Sequence, residues 1–294
     1  MGFHDKIVIS AAITGVLTGA GQFRVPVTPQ EMAEAAEQAY NAGASVVHCH
    51  FRSSDRRSWG FPTWDLRTVG EIISAIRERV PEMIINMSTG VVGGDISGPV
   101  ACLEAFKPEM AALNAGSLNY LKIRKDGSWA WPPILFDNPV EKIRKFLEVM
   151  RENDIVPEFE CFDTGMVRCV EMFRRNGMFE GPPHISLVMG VESGMPARAD
   201  LLPILVDEMP VDAVWQTIAT GPGRDRIWEV HRRAAELGGN VRTGLEDTFY
   251  LPGGERAQDN GRLVEALVKI VREAGREVAS PSEAREILGI RRGR

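Results

Sequence analysis

The chain has 294 residues, 44 % hydrophobic and 25 % charged, a balance that excludes disordered and fibrous classes and suffices for one large core or two small ones. A formal net charge of −6 argues against a nucleic-acid binder, because phosphate backbones require a basic surface. Cys49, Cys102, Cys161 and Cys169 show no C-x-x-C spacing, so neither a structural zinc knot nor a disulfide framework is predicted, and a reducing cytoplasm fits best. The opening Met1-Gly2-Phe3-His4-Asp5-Lys6 lacks a charged-then-apolar leader, Lys6 breaks the myristoylation pattern, and no run is long enough to span a membrane.

Along the chain, short apolar runs alternate with longer amphipathic segments, the pattern of strand-crossover-helix units and a parallel sheet. Eight strands are predicted: Lys6 to Ala12, Ser45 to His50, Met83 to Ser88, Met110 to Asn114, Val156 to Phe162, His184 to Met189, Ala213 to Ala219 and Asn240 to Leu245. A helical segment follows each. The first opens at Thr28-Pro29-Gln30-Glu31, where Thr28 can cap, Pro29 suits the first helical position and Glu31 completes a capping box. Later helices are predicted near 64–79, 99–106, 139–153, 165–176, 198–208, 224–237 and 257–274, and a short extra C-terminal helix starts at the capping box Ser280-Pro281-Ser282-Glu283. Gly43, Gly177, Gly238 and Gly275 fall where helices should stop. Eight units and no linker point to a single (β/α)₈ TIM-barrel domain over residues 1–294 rather than an open doubly wound sheet, whose Gly-x-Gly-x-x-Gly turn is missing after the first strand.

The second strand closes on His48-Cys49-His50. Side chains repeat every two residues in a strand, so both imidazoles share one face and form half of a divalent metal site, or else are two ordinary buried histidines. In a barrel the active site collects at the C-terminal strand ends. There the chain offers Ser88-Thr89-Gly90 after strand three, Asn114 and Ser117 after strand four, Glu160 on strand five and Arg242, Glu246 and Asp247 on strand eight. Glu246 shares a face with Arg242 and reaches the barrel mouth as a carboxylate ligand beside His48 and His50. Two histidines and one carboxylate leave an open zinc position, the mark of a catalytic site. Without the histidines, Glu246-Asp247 reads first as a helix-start acidic pair; the combination reverses that preference.

Asp247 lies past the strand end and can turn toward the metal while Arg242 holds it ionised, the arrangement of a base for a carbon acid; Arg242 is otherwise a plain barrel salt-bridge partner. Glu160 is a buried-strand acid and reads as functional, because an unpaired interior carboxylate is costly. Ser88, Thr89, Asn114 and Ser117 suit a carboxylate or carbonyl, or else are turn chemistry. Gly190 and Gly194 after strand six, and Gly221, Gly223, Arg224 and Arg226 after strand seven, form loops suited to a phosphate, or simply solvated loops. Trp129 and Trp131 sit in a loop after strand four, lining a pocket or packing a contact. His4, His184 and His231 are placed at a terminus, a strand start and a helix, outside the site.

Six segments in order resemble the zinc-dependent β-keto acid cleavage enzymes: Ser10-Ala11-Ala12-Ile13-Thr14-Gly15, His48-Cys49-His50, Ser88-Thr89-Gly90, Leu113-Asn114-Ala115-Gly116-Ser117, the stretch from Pro157 to Gly165, and Val241-Arg242-Thr243-Gly244-Leu245-Glu246-Asp247. The resemblance covers nearly the whole chain. It implies a TIM barrel, usually tetrameric, with Zn²⁺ held by His48, His50 and Glu246. The implied reaction takes a 3-keto acid and acetyl-CoA to acetoacetate and a new acyl-CoA by retro-Claisen cleavage. Asp247 with Arg242 would be the base, Ser88 and Asn114 would position substrate, and Glu160 would stand near the metal. The glycine loops and their arginines would meet the phosphates of CoA. The branch acting on an amino-bearing keto acid carries a glutamate soon after the Thr-Gly of strand one; here Val16-Leu17-Thr18 follow, so the far end of the substrate is expected to be neutral or anionic. Ala112 also replaces a threonine of that branch. Competing readings are a CoA-independent metal-dependent aldolase or lyase, an amidohydrolase-type zinc hydrolase, which needs further histidines at later strand ends, and a non-catalytic ligand-binding barrel.

Overall fold

A computed structural model describes residues 6–19, 23–221 and 224–291. Eight parallel strands close into a barrel: β1 (Ile9–Ala12), β2 (Val46–Cys49), β3 (Ile84–Ser88), β4 (Met110–Asn114), β5 (Val156–Cys161), β6 (His184–Met189), β7 (Val214–Ala219) and β8 (Asn240–Thr243), with β8 pairing back onto β1. Helices α1 (Pro29–Ala42), α2 (Leu66–Arg79), α3 (Ser97–Phe106), α4 (Val140–Glu152), α5 (Thr164–Arg175), α6 (Leu202–Asp207), α7 (Arg224–Glu236) and α8 (Asn260–Glu273) alternate with them, and α9 (Pro281–Ile287) follows.

Both predicted capping boxes form, at Thr28 and Ser280, and Gly43 ends α1 in the left-handed region at φ 117°. The helix predicted over 198–208 divides into a 3₁₀ turn at Ala199–Leu201 and the short α6, because Pro203 suits a first helical turn and cannot donate within a longer helix. The strand predicted over Lys6 to Ala12 also divides. Lys6–Ile7 pairs with Glu277–Val278 outside the barrel, and Val8 donates its N–H to Asn240 Oδ1.

Strand alternation sorts the barrel residues into two sets. Ile9, Ala11, Val47, Ile85, Met87, Leu113 and Phe159 face the helices and form the main core with α1 to α8. The inward set is layered. At the N-terminal end Val8, Val46, Ile84 and Met110 meet Ala284, Leu288 and Ile290 from the C-terminal segment, which plugs that mouth. Above them Glu158 accepts hydrogen bonds from Asn86, Ser186 and Gln216. The next inward residues, His48, Ser88, Asn114, Glu160 and Arg242, are polar where many barrels carry branched aliphatics. With one mouth plugged, the polar layer opens only toward the C-terminal strand ends.

Candidate active site

Arg242 organises this layer. Its side chain is 3 % exposed and grips three carboxylates: Nε and Nη2 donate to the two oxygens of Asp247 at 3.1 and 2.9 Å, Nη2 to Glu246 Oε1 at 2.8 Å, and Nη1 to Glu160 Oε1 at 3.3 Å. Burial opposes its charge, yet the three acids hold it protonated well above the ordinary arginine range. Burial resists the ionisation of Glu246 too, but Arg242, His50 and His48 keep its carboxyl well below the usual range. For Asp247 burial prevails over the pull of Arg242 and lifts the carboxyl to about 6. Glu160 rises to about 8, through burial first and then the crowd of Glu158, Glu246 and Asp247, against the attraction of Arg242.

The histidines stand beside Glu246 as their spacing predicts. His50 Nε2 lies 3.4 Å and His48 Nε2 3.8 Å from Glu246 Oε1, with the two rings edge to face at 5.3 Å. Ligand atoms from His48, His50 and Glu246 all fall within 4.8 Å of one another. Bond lengths of about 2.0 Å around a tetrahedral zinc would set such atoms roughly 3.3 Å apart. Both ring nitrogens of His48 and Oε2 of Glu246 are buried without a hydrogen-bond partner. Burial, reinforced by Arg242, holds His48 well below its ordinary value and hence neutral, the form a metal needs. Orphaned donors of this kind fit a divalent metal ion.

The loop after β1 seats the carboxylate. Gly15 adopts φ 60°, and a Cβ there would stand 2.7 Å from Glu246 Cγ. Only glycine lets this loop lie against that side chain. The loop is held from behind by Arg52, 2 % exposed, which donates to the carbonyls of Gly15, Thr18 and Gly60. Lys142 does the same for the loop after β3, its ammonium donating to Val91, Gly93 and Asp137 carbonyls at 2.8 to 3.0 Å. Sequence reading missed both cations. A lone arginine or lysine reads as a solvated side chain, and only its carbonyl partners betray burial.

A cavity of about 250 Å³ opens above this floor, lined by His50, Ser88, Gly90, Asn114, Glu160, Arg242, Glu246 and Asp247. Asn114 Oδ1 is buried and unpartnered, and a Cβ on Gly90 would lie 3.7 Å from Ser88 Oγ and 3.8 Å from Asn114 Nδ2, so these groups converge. Thr89 and Ser117 are turned to the scaffold instead: Thr89 Oγ1 donates to Ala112 O and Ser117 Oγ accepts from Asn138 N–H.

Gly190, Gly194, Gly221 and Arg226 of the predicted phosphate loops stand outside this cavity lining, which takes only Val191 and Thr220 from those loops. A Cβ on Gly190, at φ 101°, would meet Thr220 O at 1.9 Å, Gly221 packs against Gly190 O, and Gly194 packs against Phe162 O. Close backbone packing thus already demands glycine there. Arg226 is exposed on α7, while Gly223 and the side chain of Arg224 lie outside the described residues. Trp131 stacks on Tyr120, which lines the cavity, and Trp129 is half-exposed. Tyr120 belongs to an unforeseen antiparallel ribbon, Leu118–Tyr120 with Ile134–Phe136. His184 is buried at the opposite end of β6, and His231 on α7 bonds Thr217, so neither extends the cluster as an amidohydrolase arrangement requires.

Fold and site together define a (β/α)₈-barrel enzyme with its reactive groups at the C-terminal strand ends. The family model for β-keto acid cleavage enzymes matches residues 6–290, and the chain belongs to that family. It is 36 % identical over 289 residues to 3-keto-5-aminohexanoate cleavage enzyme of Fusobacterium nucleatum subsp. nucleatum, covering 98 % of this chain and 99 % of the relative. It is 32 % identical over 287 residues to 3-oxoadipate:acetyl-CoA acetyltransferase of Cupriavidus necator, covering 96 % and 94 %. Among solved structures, ObcA superposes with a TM-score of 0.70 at 21 % identity, over 90 % of this chain and 67 % of that one, a likeness of fold.

Proposed function

We propose that this chain exchanges acyl groups between a 3-keto acid and acetyl-CoA, R–CO–CH₂–COO⁻ + CH₃–CO–SCoA giving CH₃–CO–CH₂–COO⁻ + R–CO–SCoA. The observation that carries this reading is the set of buried atoms without a hydrogen-bond partner, both ring nitrogens of His48 and Oε2 of Glu246, beside the Arg242–Asp247 ion pair on the cavity floor. His48, His50 and Glu246 would hold zinc, which when bound would polarise the keto group and acidify the methylene between keto and carboxylate.

Asp247 takes the methylene proton. Its carboxyl, lifted to about 6, is ionised at neutral pH yet basic enough to accept a proton. Arg242 fixes its orientation through both oxygens. Ser88, Gly90 and Asn114 receive the substrate carboxylate and keto oxygens at the converging end of the cavity. Glu160, raised to about 8 and so largely protonated, offers a proton where charge develops during cleavage. The carbanion attacks the acetyl thioester, CoA leaves, and its thiolate adds to the original keto carbon to break the bond to C2. Acetyl-CoA as acyl donor is supported by relatives named for its use. The CoA phosphates would lie toward the loops carrying Gly190, Gly194, Gly221, Gly223, Arg224 and Arg226 near the mouth; Thr89 and Ser117 would support the substrate-binding loops from behind.

The reading takes residues 1–294 as one cytoplasmic domain assembled into a homotetramer. All four cysteines are free thiols, in keeping with a reducing compartment. No helix among the described residues is long and apolar enough to cross a membrane. Met172, Ile204 and Val211 are exposed on segments joined by Arg168–Glu208 and Arg174–Asp212, an apolar face suited to a subunit contact.

Zinc-loaded protein incubated with acetyl-CoA and a panel of 3-keto acids tests the reaction by mass spectrometry. Acetoacetate and a new acyl-CoA, absent with His48→Ala, are expected. Keto-acid loss without acetyl-CoA would move the assignment to a lyase or hydrolase.

A further inference from the structure

We propose that the 3-keto acid accepted here carries an uncharged, apolar substituent on its keto carbon. This deepens the proposed reaction and rests on it. Among the described residues, ionisable groups lining the cavity are confined to its floor apart from the phenol of Tyr120, and Arg242 is already engaged by three carboxylates. The walls above come from different loops and strands and are uncharged, with large apolar side chains predominating over the hydroxyls of Thr14, Thr18 and Thr220: Leu17 after β1, Val92 after β3, Phe136 on the ribbon, Phe162 after β5, Val191 after β6 and Ile218 on β7. The substituent therefore meets mostly hydrocarbon, and no charge among the described residues, as it leaves the floor.

A second carboxylate would find no free cation among the described lining residues, and an ammonium would find no acid above the floor. Either charge would lose water without gaining a partner. Tyr120 offers no anion at neutral pH, since burial, with Glu246 and Glu160 nearby, lifts its hydroxyl to about 12. Leu17 and Val92 are 74 % and 64 % exposed at the rim, large apolar side chains that a hydrocarbon arm would cover. The neutral-or-anionic expectation from the missing acid after Gly15 is thereby narrowed to neutral.

Three acids of equal chain length test this: 3-oxohexanoate, 3-oxoadipate and 3-keto-5-aminohexanoate, whose arms beyond the keto carbon are neutral, anionic and cationic in turn. Each is measured with zinc-loaded full-length protein for kcat/KM with acetyl-CoA and, by calorimetry, for binding without it. The neutral acid is expected to lead by at least about 100-fold in kcat/KM, chiefly through KM, and to bind most tightly. The rim variants Val92→Arg and Leu17→Glu should raise the relative preference for the anionic and the amino acid respectively. Turnover of all three with a charged acid leading would overturn the inference and leave the reaction intact. Should none turn over, the reaction fails, and binding order still decides: a charged acid bound more tightly overturns the proposal, the neutral acid bound more tightly supports it.

Discussion

Individual side chains in the polar layer divide into those that hold a metal and those that move a proton, and substitution separates them. Asp247 touches Arg242 through both oxygens and is no part of the His48–His50–Glu246 group. Asp247→Asn is therefore expected to lower kcat by about 10²- to 10⁴-fold with zinc content unchanged, read by steady-state kinetics beside metal analysis. Gly15→Ala is the converse. Its Cβ would crowd Glu246 from 2.7 Å at a φ that favours glycine, so zinc affinity should fall first and activity with it. Equal zinc affinity in that variant would show that the loop does not set the carboxylate. His48 was legible because strand alternation fixes where it points; His50 and Glu246 lie just past the ends of β2 and β8, yet the period read from the sequence still assigned them to the group they form. Thr89 and Ser117 were harder to place, since a hydroxyl at a strand end serves backbone and cavity alike.

Loops are the next scale, and two buried cations govern those that shape the cavity. Arg52→Met would leave the carbonyls of Gly15, Thr18 and Gly60 without their charged donor. A loss of about 2 to 4 kcal/mol in urea unfolding is expected, with faster amide exchange over residues 14–18 and a KM that rises more than kcat falls. Arg52→Lys should restore part of the stability. Unchanged exchange in that loop would remove Arg52 from any positioning role. The eight barrel strands were readable from apolar runs, yet the Leu118–Tyr120 ribbon was not. Its strands are three residues long and alternate only once, too little for periodicity to register.

The whole molecule carries two further buried histidines whose cost appears in acid. Burial lowers His184 to about 4 and His231 to about 3, and His231 Nε2 is unpartnered. Below about pH 6.5 the unfolded chain binds protons that the folded chain refuses, so each histidine's contribution declines by up to about 1.4 kcal/mol per pH unit until its folded value is reached. His231→Gln removes one of the two, and its unfolding free energy should fall less steeply than wild type between pH 6 and 4. Parallel slopes would mean His231 is protonated within the fold. The barrel was legible at this scale because eight apolar runs alternate with eight helices. The bottom plug formed by α9 and the residues after it was legible only as an extra helix, since its partners are Val8, just before β1, and Val46, Ile84 and Met110 from three separate strands.

Isotope tracing tests the acyl exchange most directly. With acetyl-CoA labelled at the carbonyl carbon and an unlabelled 3-keto acid, the label should pass into the keto carbon of acetoacetate, and the new acyl-CoA should carry none. Label that remains in acetyl-CoA or emerges as acetate while the keto acid is consumed would contradict the assigned reaction.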